Sequence, residues 1–155
     1  MKNTNTYLYL IFSVIGYIFA KSSIAKIQGG NFVTSLAPTL EKFASKNPHP
    51  LCKSFLENIA IPNSNIFGLL TMWGEFFSGV TVGLLSLYLI FKPKVNRAIH
   101  ILLAAGLLVG AFLNATFWMA AGWLSPSTES LNMVMFAVQI IGFFFVLQNI
   151  VGKKK

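Results

Sequence analysis

Four long stretches of this chain carry almost no charge, and this limits what it can fold into more than any other feature. They run from Tyr7 to Lys26, apolar through Ala20 and then mixed; from Ile66 to Phe91, with Glu75 as the one charge; from Ala98 to Ala121, with no Lys, Arg, Asp or Glu; and from Leu131 to Val151, again with none. About 20 predominantly apolar residues suffice for a helix to cross the hydrocarbon of a bilayer. The last three stretches are too long and too evenly apolar to be core helices of a soluble protein of 155 residues. A helix satisfies its own backbone polar groups, which is the condition for crossing lipid. The expected fold is therefore all-α: an integral membrane four-helix bundle forming one domain over 1–155. Composition agrees, since 10 % of residues are charged against roughly 25 % in an average soluble domain. The first stretch also resembles a secretory signal, with Lys2, the apolar run Leu8 to Ala20 and the small residues Ser22-Ser23-Ile24-Ala25. It is read here as a spanning helix.

The net charge of +8 is distributed as a topology signal. Four spans put both ends of the chain on one side, together with seven basic residues: Lys2, Lys92, Lys94, Arg97, Lys153, Lys154 and Lys155. Five lie on the other side, Lys21, Lys26, Lys42, Lys46 and Lys53, diluted by Glu41 and Glu57. The connection Gly122 to Ser130 has no basic residue. The positive-inside rule then places both termini in the cytoplasm. No basic run is long or interleaved with exposed aromatics, so nucleic acid is not an expected partner; the lipid bilayer is. The lone cysteine, Cys52, excludes an internal disulfide and any cysteine-clustered metal site. No metal, haem or flavin motif is present, nor a phosphate-cradling glycine loop.

Between the first two spans lies a connection of about 40 residues, Ile27 to Asn65, too long for a bare loop. Thr39 to Ser45 and Leu51 to Ile59 are expected to form short amphipathic helices separated by Asn47-Pro48-His49-Pro50, lying as a cap on the external membrane face.

Polar side chains inside the spans are the informative ones, because hydrocarbon penalises them. Counted from the external helix ends at about 1.5 Å per residue, Glu75, Asn114, Gln139 and Lys21 fall about 14, 10, 12 and 8 Å deep. Each helix thus contributes one strongly polar group to the outer half of the bilayer. A lone carboxylate there is costly, and an ion pair of Lys21 with Glu75, hydrogen-bonded by Asn114 and Gln139, is the expected arrangement. It reads either as a structural knot between helices or as a ligand or proton site opening outward. Trp118 and Trp73 fall in the same half and are candidate walls of a pocket for a flat ring. His100 opens the third span and is expected to reach for the headgroups. Gly79-x-x-x-Gly83 and Gly106-x-x-x-Gly110 permit close helix contact.

Several of these residues occur in an order that resembles a known family. Gly16 to Lys26 (GYIFAKSSIAK), Asn47-Pro48-His49-Pro50 followed by Phe55-Leu56, Gly74-Glu75 with Gly79, Arg97-Ala98, and Asn114 to Gly122 (NATFWMAAG) with Ser125 and Asn132 are together similar to the DoxX superfamily. The likeness is to its DoxD branch, the large subunit of thiosulfate:quinone oxidoreductase, and covers about residues 12 to 147. The resemblance implies a prokaryotic cytoplasmic membrane, a quinone as cofactor, thiosulfate as electron donor and a small DoxA-like partner subunit. It suggests Glu75 as a proton relay, with Lys21, Asn114, Trp118 and Gln139 around the substrate. Lys46 and His49, with Lys42 and Lys53, would draw a dianion to the outer face. A non-catalytic accessory subunit of a larger membrane complex is the alternative expectation.

Overall fold

A computed structural model of the chain describes residues 2–92 and 96–152. Of the basic residues counted for topology, Lys94, Lys153, Lys154, Lys155 and the side chain of Lys2 lie outside the described residues. The described residues form helices and connecting turns without a strand: α1 (Lys2–Gly29), α2 (Leu36–Ser45), α3 (Pro50–Phe55) continued by a π-helical turn (Leu56–Ala60), α4 (Ser64–Phe91), α5 (Arg97–Ala121) and α6 (Pro126–Val151). The helices α1, α4, α5 and α6 are each long and apolar enough to cross a membrane. The chain is a multi-pass membrane protein built as an all-α bundle, with the segment between α1 and α4 as a cap at one end.

The spans begin and end where local chemistry dictates. Gly30, at φ +68°, takes the left-handed conformation that stops α1. Asn96 opens α5 by accepting the Ala98 amide at 3.2 Å. The last span begins at Pro126 rather than at the expected Leu131. Ser125 is its N-cap, accepting the Thr128 amide at 3.1 Å, with proline in the first helical position, where its missing N–H is no loss. A polar Ser-Pro-Ser-Thr-Glu run that hydropathy marks as loop is a helix start.

The spans associate as two close pairs, α1 with α4 and α5 with α6, joined through α4 and α5. Small residues explain the first pair. A side chain on Gly16 would run into the backbone of Gly83, and one on Gly79 into the backbone of Ala20, so the two helices touch main chain to main chain. The core below this crossing is apolar: Phe12, Val82, Leu103, Leu107 and Val146 are fully enclosed, and Phe12 fills the notch left by Gly142.

The cap has its own core of Leu36, Leu40, Ala44, Cys52, Leu56 and Ala60, closed by Phe32, Phe43 and Phe67. Asn47 fastens it to the bundle. Its side-chain amide donates to the carbonyls of Met119 and Ala120 at 3.2 and 3.1 Å, in the last turn of α5, where helix carbonyls lack partners of their own. Its Oδ1 accepts the His49 amide at 2.9 Å, the Asx turn that leads into Pro50 at the start of α3.

Candidate functional site

The crossing of α1 and α4 sets the register of the site. With Gly16 against Gly83 and Ala20 against Gly79, one more turn along each antiparallel helix brings the Ser22–Lys26 stretch level with Glu75. Ser22 and Lys26 are four residues apart and so share a face of α1. Glu75 is 3 % exposed. The Lys26 ammonium bonds to both of its carboxylate oxygens, and the Ser22 hydroxyl donates to Oε2 at 2.9 Å. Lys26 also donates to Ser22 Oγ at 3.0 Å, closing a triangle of ammonium, hydroxyl and carboxylate. The Phe32 ring, at the root of the cap, lies 4.9 Å from the ammonium, a distance at which its π-face adds cation attraction. The Lys26 side chain remains 21 % exposed, so the pair is buried on the carboxylate side and accessible on the ammonium side.

The partner of Glu75 is thus Lys26, not Lys21. Depth alone does not choose between them: Lys21 is exposed, whereas Lys26 lies one turn beyond Ser22 on the same side of α1 and closes with it on Glu75. The polar layer is also not one group. Asn114 Nδ2 donates to Gln139 Oε1 at 2.7 Å, joining α5 to α6, and neither residue bonds to Glu75. Asn114 and Gln139 are 2 % and 0 % exposed. They sit beside an apolar cluster of Ile15, Phe19, Leu113 and Met135.

Other expected site residues fall elsewhere. Trp118 is half-buried on α5 and packs at Gly122, where a Cβ would come within 2.9 Å of its ring. Trp73 instead lines an apolar groove of about 810 Å³ between α4 and α5, with Leu69, Leu70, Phe77, Phe112 and Leu113. The two tryptophans do not wall a common pocket. Lys46 and His49 are exposed on the cap and do not bond to Glu75, Asn114 or Gln139. His100 does not reach out to the headgroups: it is 4 % exposed, because its position in the first turn of α5 lies one turn before the buried Leu103 and Ala104.

In the cap, burial pushes the Cys52 thiol above its ordinary value, opposed in part by the Asn47 amide, which lies 3.8 Å from the sulfur. Among the described residues no three His, Cys, Asp or Glu side chains gather as a metal site. The residues that reading by depth overlooked are Ser22 and Lys26. Their i, i+4 spacing, which puts a hydroxyl and an ammonium on one face of α1, is the signal that finds them. No protein-family model matches the chain, and no curated protein or solved structure matches it.

Proposed function

We propose that this multi-pass membrane protein is a quinone-linked subunit of the DoxD kind in a prokaryotic cytoplasmic membrane, with both termini cytoplasmic and the cap outside. In the reaction that this reading assigns to it, two thiosulfates join through a new sulfur–sulfur bond and release two electrons. These, with two protons, reduce one quinone to the quinol. Glu75 is the proton relay, and a DoxA-like subunit completes the enzyme. The observation that carries the reading is the Lys26–Glu75 pair: a carboxylate enclosed by α1 and α4, bonded to an ammonium that is still in part accessible. Such a pair can take part in proton transfer between an outer aqueous face and the membrane interior, because the Glu75 carboxylate can take up a proton while the charge then left on Lys26 stays in part accessible. The exposed Lys42, Lys46 and His49 supply a positive outer face that attracts a dianion.

A second reading has its own observation. Both carboxylate oxygens of Glu75 are engaged by α1 side chains, so the triangle also serves as a clasp between two spans, as an accessory subunit would use it. Thiosulfate-dependent quinone reduction, measured in membranes that also contain a DoxA-like partner, separates the two. Glu75→Gln keeps shape and hydrogen bonding but cannot carry charge or relay a proton. The enzyme reading expects activity in the wild type and its loss in Glu75→Gln at preserved folding. Wild-type membranes without activity refute the oxidoreductase assignment and leave the clasp.

A further inference from the structure

The helix made by α3 and its π-helical turn carries its side chains in rows, because the wide turn slows the rotation and keeps positions four apart in line. Cys52, Leu56 and Ala60 form the inner row and are buried in the core of the cap. Lys53 and Glu57 form the next row and pair at 3.8 Å. Ser54 and Asn58 form a third, where the Asn58 amide donates to Ser54 Oγ at 3.1 Å. The last row, between the third and the core, is Leu51, Phe55 and Ile59. It is apolar throughout and exposed, with Leu51 87 % open. The cap core uses one apolar row; this is a second, turned away from it. Single apolar residues on a surface are ordinary, whereas a contiguous set marks a face that meets lipid or protein.

Its position says which. Phe55 meets Phe67 edge-on, with ring centroids 5.7 Å apart. Phe67 lies in the first turn of α4, a helix long and apolar enough to cross a membrane. The residues around it on the open side of that helix, Ile66, Leu69, Leu70 and Trp73, are exposed and apolar, the surface that a span turns to hydrocarbon. The row on the cap therefore stands beside the end of a span and extends its lipid-facing surface sideways.

We infer that the α3 segment is an interfacial membrane element. It is seated sideways in the leaflet at the cap end of the bundle, with Leu51, Phe55 and Ile59 against the acyl chains next to the headgroups and the Lys53–Glu57 row toward headgroups and water. A helix with an apolar side and a charged side takes this position at a bilayer surface. The cap is then not a unit standing clear on the membrane: α3 touches lipid without crossing it, and its depth is fixed by Phe55 on Phe67. Lipid is the occupant because the row is continuous with a surface that lipid already covers; a protein seated on it would also have to displace the lipid beside α4. This inference stands apart from the oxidoreductase reading and survives its failure.

Photolabelling tests it on the unaltered full-length protein, in phosphatidylcholine vesicles that contain a lipid with a diazirine on its acyl chain close to the glycerol. Adducts are expected on Leu51, Phe55 and Ile59 as well as on the exposed residues at the start of α4. Adducts on α4 with none on the cap row overturn the inference. Spin labels give a second reading, placed by Leu51→Cys or Glu57→Cys in a Cys52→Ala background. At Leu51 the label should collide severalfold more with oxygen, which partitions into lipid, than with a water-soluble nickel chelate; at Glu57 the order should reverse. A preference for nickel at Leu51 overturns the inference. Shielding of that label from both reagents overturns it too, since a protein would then cover the row.

Discussion

Burial divides the Lys26–Glu75 pair unequally, and the inequality is measurable. Glu75 is 3 % exposed while the Lys26 side chain is 21 % exposed. Removing the lysine leaves a carboxylate that cannot reach water; neutralising the glutamate leaves an ammonium that can. Lys26→Met should therefore destabilise the protein by about 3–5 kcal/mol, the cost of breaking a buried pair, and Glu75→Gln by about 1–3 kcal/mol. Lys21→Met should change stability by no more than about 0.5 kcal/mol, as surface substitutions do. Thermal unfolding in detergent orders the three; a Lys21 effect as large as that of Lys26 would contradict the α1 orientation. Cys52 gives a pH prediction. Its thiol is raised by burial above the ordinary value of 9.0, so the folded state favours the protonated form. A raised value contributes stability below the unfolded value and loses it as pH climbs through the folded one. Wild-type stability should fall more steeply above that ordinary value than that of Cys52→Ala, with parallel curves below it. Iodoacetamide should label Cys52 slowly until the protein unfolds.

At the level of elements, the cap is a small helical unit packed on Phe67 of α4 and Ala120 of α5 and hydrogen-bonded to the end of α5 by the side chain of Asn47. Asn47 carries three jobs at once: it donates to two carbonyls at the end of α5, one of which, that of Ala120, also accepts from the Trp123 indole, it makes the turn before α3, and it touches Cys52. Asn47→Ala should cost about 1–3 kcal/mol, the range for leaving buried polar groups unpaired. The effect should be local: faster amide exchange in the cap helices, with exchange in α1 and α4 unchanged. Uniform acceleration throughout the bundle would show that the cap is not a separate unit. The outer side of the cap carries Leu51, Phe55 and Ile59 in a row, all exposed. Phe55 packs edge-on against Phe67 of α4, so the row continues the apolar surface of the spans, and the π-helical turn from Leu56 keeps Ile59 in line with it by slowing the rotation of the helix.

For the whole molecule, orientation follows from charge rather than from packing. The excess of basic residues on the side of the chain ends predicts that reporter fusions at the C terminus and at Ser127 give opposite signals, with the C terminus cytoplasmic. A periplasmic C terminus would invert the proposal, because the cap and the Lys26–Glu75 pair would then face the cytoplasm. Four apolar spans, a long capped connection and short turns were legible in the chain because the bilayer imposes length and hydropathy on every crossing, independent of how the helices meet.

The polar groups were legible one by one, since polar side chains in hydrocarbon stand out from any apolar background. Their pairing was not. Lys21 and Lys26 are both basic residues near the end of the first span, and the choice between them depends on which face of α1 meets α4. Gly16, Ala20, Gly79 and Gly83 make that choice by letting two backbones touch at one register. In the same way, Asn114 and Gln139 pair with each other rather than with Glu75 because α5 meets α6 across them. Sequence periodicity sets how far a residue lies along its helix and which neighbours share its face. Which helix that face then meets depends on the close packing of small residues from distant parts of the chain, and tertiary structure alone decides it.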